Sequence, residues 1–361
     1  MKKLITILLL LTLITLIGCS NEVEEKETIK LGAILPLTGP ASDYGVAWEK
    51  ALALGVEKIE DKYNVEVELI LEDSQLESAE AVIAAQKLIN VDRVKAIIPG
   101  SSGEILAMAP IIEENKVLLI GGGSHPDITY AGDYIFRVYP SDLYQGNDLA
   151  DFISEQGYEK IAILNILNDY GTGISEVVKD RIVENGGEVV IAESFEVKST
   201  NFKTELNKIK RADPEVLLII AHHYPTILKE IKELGLDLPL VASETLISIS
   251  DDESLELAEG ISFPYYVDPE SPELTEFLEA HDAKFGVEPG YFASGLYDCV
   301  VLSLEALLEN EGDVEQAKGW LYDLKDWRGA SGITNFDENG DTVGKSYSIY
   351  VVKDGEFVPI E

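Results

Sequence analysis

The chain has 361 residues, 66 of them acidic and 28 basic, for a formal net charge of −38. A balance of that sign repels nucleic acid and anionic membrane surfaces, so it argues against both as partners; any anionic ligand must be caught by local donors. Cys19 and Cys299 are the two cysteines, and they offer neither a CxxC nor a zinc spacing.

The chain opens "MKKLITILLLLTLITLIGCS". Two lysines precede an apolar run from Leu4 to Ile17, too short for a comfortable membrane span and flanked as a secretory signal is. Its end, Leu16-Ile17-Gly18-Cys19, resembles a bacterial lipobox, so residues 1–18 are expected to be removed and Cys19 lipidated. Residues 19–28, polar and acidic, read as a tether. With Cys19 acylated no intramolecular disulfide is possible, and stability must come from packing. The remaining residues, about 340, suffice for two cores of ordinary size.

From residue 29 short apolar runs alternate with amphipathic stretches. "IKLGAILP", "VEVELILE", "VKAIIPG" and "VLLIGGG" read as strands; "GVAWEKALALGVEKIEDKY" and "SAEAVIAAQKLINV" between them read as helices. After "YIFRVYPSD" the alternation restarts with "KIAILNIL", "EVVIAESFE", "EVLLIIAHH" and "PLVASE". Strands buried on both faces and alternating with helices predict parallel sheets flanked by helices. The two successive runs predict an α/β fold of two doubly wound lobes. Two more helices follow, and Asn339-Gly340 and Asp354-Gly355 signal hairpins, so the tail is expected to add antiparallel edge strands. The expected boundaries are 29–140 with 266–334 for lobe 1 and 141–265 with 335–361 for lobe 2, joined by a hinge of several chain crossings.

Open α/β sheets bind ligands beyond the carboxyl ends of their strands. In lobe 1 those ends read "PLTGPASDYG", "PGSSGE" and "GGGSHP", rich in glycine and serine and free of lysine and arginine. Each leads into a helix whose free N–H groups and positive dipole end suit an anion. A small carboxylate fits this better than a polyphosphate, and neither G-x-x-x-x-G-K-[ST] nor G-x-G-x-x-G is present. Gly100-Ser101-Ser102-Gly103 is one residue short of a nucleophile elbow, which argues against a hydrolase and leaves no catalytic residue to assign. In lobe 2 the ends carry Tyr170, Tyr224 and Glu244. A carboxylate there could hold an ammonium group opposite the anion wall, making a site for a zwitterion. His222 and His223 alternate on a strand and cannot grip one metal together. "DENGD" lacks the register of a calcium loop and reads as a turn. No metal and no cofactor are expected.

"IKLGAILPLTGPASDYG", "FRVYPSDLYQG", "YGTG", "YFASGLYD" and "FDENGD", in this order, resemble the leucine/isoleucine/valine-binding family of type I periplasmic substrate-binding proteins. The resemblance spans nearly everything from residue 29 onward. It implies the type I periplasmic binding protein fold and a monomeric, lipid-anchored receptor outside the cytoplasm, which captures an amino acid between its lobes and delivers it to an ABC permease. It implies carboxylate binding by Ser101, with Ser102 beside it, and backbone and hydroxyl donors from Gly122, Gly123 and Ser124. It places cleft tyrosines at Tyr44, Tyr170 and Tyr224 and the ammonium-binding acid at Glu244; apart from the resemblance, the alternation of His222 and His223 along their strand lets one of the two, His222 or His223, line the cleft. Ser74 and Gly100 stand where some members pair two cysteines. His222-His223 and Ser124 depart from the branched-chain pattern, which leaves open receptors of the same fold for amides, urea or aromatic acids, and a ligand sensor.

Overall fold

A computed structural model describes residues 28–39, 41–222, 224–290 and 292–360. The leader 1–18, Cys19 and nearly all of the tether lie outside the described residues, as does His223. Thr28, the last tether residue, already opens the first strand.

In chain order the first half contains β1 (Thr28–Leu35), α1 (Ser42–Tyr63), β2 (Glu66–Asp73), α2 (Ser78–Lys87), β3 (Ala96–Pro99), α3 (Ser102–Asn115), β4 (Leu118–Gly121) and β5 (Ile135–Arg137). Then follow α4 (Asp142–Glu155), β6 (Lys160–Ile166), α5 (Asp169–Glu184), β7 (Glu188–Phe195), α6 (Lys203–Ala212), β8 (Val216–Ile220), α7 (Tyr224–Leu234), β9 (Leu240–Ala242), α8 (Asp252–Leu257) and β10 (Ser262–Tyr265). The tail adds α9 (Pro272–Phe285), α10 (Ala293–Leu308), α11 (Val314–Tyr322), β11 (Trp327–Gly329), β12 (Gly332–Phe336), β13 (Thr342–Val343), β14 (Ser348–Lys353) and β15 (Glu356–Pro359). Among the described residues no helix is long and apolar enough to cross a membrane.

The apolar runs become two sheets. One is parallel throughout, in the order β2-β1-β3-β4-β5, with β1 and β2 paired from Thr28↔Glu66 to Leu35↔Asp73. The other runs β15-β14-β10-β9-β8-β6-β7, parallel from β10 to β7 and closed at one edge by the antiparallel hairpin β14–β15. Strands such as β3, AIIP, and β8, VLLII, are buried at every residue because helices cover both sheet faces. Each sheet has its own hydrophobic core. The first gathers residues from Leu31 to Tyr139 and from Phe277 to Phe336; the second gathers Leu149 to Phe263 with Tyr350 and Val352.

The chain passes between the cores three times. The last passage departs from the sequence expectation of 335. Phe336 packs in the first core with its ring 5.1 Å from Phe136, and β12 pairs with both β11 and β13. "FDENGD" is a turn, as its register suggested: the Asp337 carboxylate accepts from the N–H groups of Asn339 and Asp341. That turn keeps the hairpin on the first lobe, where Asp341 bridges to Arg137, so the crossing falls between Val343 and Ser348.

Candidate functional site

The first wall of the site is the junction of β3 and α3. Ser101 caps α3, its Oγ accepting from Glu104 N at 3.5 Å, while Glu104 Oε2 reaches back to Gly100 N at 3.0 Å. This reciprocal pattern is close to a capping box, and its S-x-x-E signature was present in the sequence but unread. Ser102 Oγ accepts from the N–H groups of Ser124 (3.0 Å) and His125 (3.2 Å), tying the loop after β4 to the first turn of α3. The glycines ahead of Ser124 make that approach possible. A Cβ on Gly123 would stand 2.9 Å from Ser102 Cα and 2.7 Å from Ile105 Cδ1. Gly122 faces the cavity; Gly123 does not, and serves packing instead. Gly123→Ala should therefore cost about 1–3 kcal/mol of stability by overpacking, read by urea denaturation. An unchanged midpoint would show that the loop has room to shift.

Behind this loop stands Arg137, fully buried at the end of β5. Its guanidinium donates to Ser124 O (3.0 Å), His125 O (2.8 Å), Thr129 Oγ1 (2.7 Å) and Asp341 Oδ2 (2.6 Å). Reading only the glycine- and serine-rich strand ends missed it. The signal was a lone arginine inside the apolar run "YIFRVY".

The second wall is the start of α5 and the end of β8. Asn168 caps α5 through Oδ1, which accepts from Gly171 N at 2.9 Å. Tyr170 and His222 stack with centroids 5.2 Å apart and planes 24° from parallel. Tyr44, from α1 on the other lobe, meets the His222 ring edge-on at 5.7 Å and lies 5.7 Å from Trp48. Phe292 completes the ring set beside Trp48 at 6.4 Å. Between these walls lies a cavity of about 490 Å³, and among the described residues no lysine or arginine lines it.

The sequence candidates fall into two groups. Tyr44, Ser101, Ser102, Gly122, Ser124 and Tyr170 line the cavity together, with His222 from the histidine pair. Tyr224 does not: it is fully buried as the first residue of α7, its hydroxyl donating to Ile219 O at 3.1 Å. Glu244 is also off the cavity lining and 1% exposed, with Oε2 accepting the Tyr170 hydroxyl at 3.0 Å. It stands one side chain behind the wall. Gln145 links it to a second buried acid: Glu244 N donates to Gln145 Oε1 (3.3 Å), and Gln145 Nε2 donates to Asp142 Oδ1 (3.3 Å). Burial first, then the charge of Glu244, holds the Asp142 carboxyl well above its ordinary range.

The lobes touch around the cavity. Lys198 pairs with Glu77 at 3.2 Å. A Cβ on Gly103 would stand 2.5 Å from Asp169 Oδ2, and one on Gly173 would stand 2.6 Å from the His125 ring. These glycines sit where two helix starts meet side chains of the opposite lobe.

A family model described as periplasmic binding protein matches residues 28–356. The chain belongs to this family. It is similar to a leucine-, isoleucine-, valine-, threonine-, and alanine-binding protein of Pseudomonas aeruginosa, 26% identical over 339 residues and 90% of both chains. A solved leucine binding protein from Thermotoga maritima superposes with a TM-score of 0.81 at 28% identity, over 92% of this chain and 98% of that one. A solute binding protein of an ABC transporter from Rhodopseudomonas palustris, solved with 3,4-dihydroxy benzoic acid, gives a TM-score of 0.81 at 26% identity, over 92% and 96%. The resemblance carried by the sequence motifs, and the type I periplasmic binding protein fold it implied, stand on these findings.

Proposed function

We propose that this periplasmic binding protein captures an amino acid, most favourably a branched-chain one, in the cavity between its lobes and delivers it to an ABC permease. The observation that carries the reading is the asymmetry of the two walls. One offers a helix N-terminus and three serines without a basic side chain, suited to a carboxylate. The other holds the buried acid Glu244 one hydroxyl behind Tyr170, a negative charge on the side where an ammonium group would lie. The names of the relatives support the ligand class. The receptor acts as a monomer outside the cytoplasm, tethered through a lipid on Cys19, and does no chemistry of its own. Its lobes, residues 29–140 with 266–345 and 141–265 with 346–361, close about the three crossings because a bound ligand contacts both at once.

A second reading has its own observation. Tyr44, Trp48, Tyr170, His222 and Phe292 put five rings around the cavity, and Glu244 is not on its surface. That favours an aromatic acid without an amino group.

One panel separates the two. The chain from residue 20 onward, refolded to strip carried-over ligand, is screened by thermal shift. The probes are the proteinogenic amino acids, their deaminated acids, simple amides and hydroxybenzoates. A ligand at a hundred times its Kd adds about 2.7 kcal/mol of stability. Stabilisation by leucine-like amino acids and not by their deaminated forms supports the first reading, and Glu244→Ala should then weaken binding by a hundredfold or more. Stabilisation by hydroxybenzoates, with Glu244→Ala neutral, replaces it with the second.

A further inference from the structure

We infer that Glu104 selects the charge the cavity accepts: a ligand carboxylate at the start of α3 is held with Glu104 protonated, so an anion captured while Glu104 is ionised brings one proton onto this side chain. The inference rests on the reading that a ligand carboxylate docks at this wall.

Glu104 lies in the first turn of α3 and is 1% exposed. Its Oε2 takes the N–H of Gly100, a cavity-lining residue, while its Oε1 is buried with no well-formed hydrogen bond, the Ser74 and Ser101 hydroxyls being the polar groups beside the carboxyl. An ionised Glu104 thus occupies the positive end of the same helix that the ligand carboxylate would use. Two carboxylates at one helix N-terminus in a buried setting repel strongly. The protonated acid removes the repulsion and leaves the dipole to the ligand. The proton comes from solvent, so the exchange balances: ionised Glu104, one proton and the anionic ligand become neutral Glu104 with the ligand bound.

Among the described residues no lysine or arginine lines the cavity beside Glu104. Arg137 directs its hydrogen bonds to Ser124, His125, Thr129 and Asp341, and none to Glu104. The titratable groups on neighbouring elements are Asp73 at the end of β2, Glu77 ahead of α2, Asp169 at the start of α5 and His125 after β4. Glu77 is engaged by Lys198; Asp73 takes the N–H of Leu37; Asp169 sits over Gly103. Burial pushes the Glu104 carboxyl up to about 7, against the opposing effect of the Ser74 and Ser101 hydroxyls and the Gly100 N–H. The exchange therefore falls in the neutral range.

The test is calorimetry on the chain from residue 20 onward, which holds both lobes entire, with L-leucine and 4-hydroxybenzoate as probes between pH 5.5 and 8.5. For whichever probe binds, Kd should be flat below pH 6 and rise by up to about tenfold per pH unit above 7. Heats in two buffers of different ionisation enthalpy at pH 7.5 should report net proton uptake on binding. Glu104→Gln should bind more tightly than the parent at pH 8.5, with a flat profile and the uptake gone. The wild-type proton count stands without the variant. Binding with the same Kd at pH 6 and 8.5, or with parallel profiles in both chains, overturns the inference and spares the carboxylate reading. Binding of neither probe at any pH overturns both.

Discussion

Arg137→Ala should cost about 3–5 kcal/mol of folding free energy, the largest loss expected from any single substitution considered for this chain. The side chain is fully buried and its partner Asp341 nearly so, with N–O contact at 2.6 Å. Removing the cation leaves a carboxylate in the interior with only the Thr129 hydroxyl to answer it. It also removes the guanidinium from the carbonyls of Ser124 and His125, leaving them only the backbone N–H groups of Asp142 and Ile128. Urea denaturation of the single variant and of Arg137→Met with Asp341→Leu distinguishes a buried-charge penalty from lost volume. The double variant should recover most of the stability, because apolar replacement of a complete buried pair is often neutral or better. A single variant within 1 kcal/mol of the parent would mean that water reaches Asp341. The consequence extends to the site: the loop that Arg137 braces carries Ser124 on the cavity wall, so a folded single variant should bind more weakly through a misplaced loop.

The two-lobed architecture was legible because strands buried on both faces leave an unbroken apolar signature, and β3, β4 and β8 show it plainly. Sheet order was not, since it depends on which strands meet, and local pattern does not record that. The last crossing was misplaced for a related reason. "FDENGD" was read as a turn, but a turn says nothing of which lobe its hairpin joins; the Arg137–Asp341 pair, formed across 204 residues, settles that. At the site, the residues read from strand ends came together where side chains stand on loops and helix starts. Tyr224 lies off the cavity because it opens α7 and turns its ring back over β8, with its hydroxyl in the Ser243 network. An aromatic after a strand can cap the core as readily as line a cleft. Glu104 and Arg137 went unread although their signals were local, an S-x-x-E spacing and a charge inside an apolar run. Both are buried charges, and burial is what a helix-start motif leaves unstated.

Glu104→Gln should raise folding stability at pH 8.5 by up to roughly 3 kcal/mol while leaving it nearly unchanged at pH 4. The sign follows from the direction of the shift. Burial raises this carboxyl from 4.5 to about 7 in the folded chain, so the native state binds the proton more tightly than the unfolded state does. Stability is complete below pH 4.5, falls as the pH climbs towards 7, and levels off beyond. Glutamine is the neutral shape of the protonated acid and its carbonyl can still accept from Gly100 N, so the cap survives while the titration disappears. The remaining 65 acidic residues shift both chains alike, which is why the difference between the two stability curves, measured by urea denaturation from pH 4 to 9, is the quantity to follow. Parallel curves would show that the unfolded and folded chains hold this proton equally, and that Glu104 is solvated in solution. A difference opening between pH 5 and 7 would mean that the wild-type chain carries a destabilising charge at the start of α3. A packing role alone would be served by glutamine at no such cost, so what the acid adds is its response to a neighbouring negative charge.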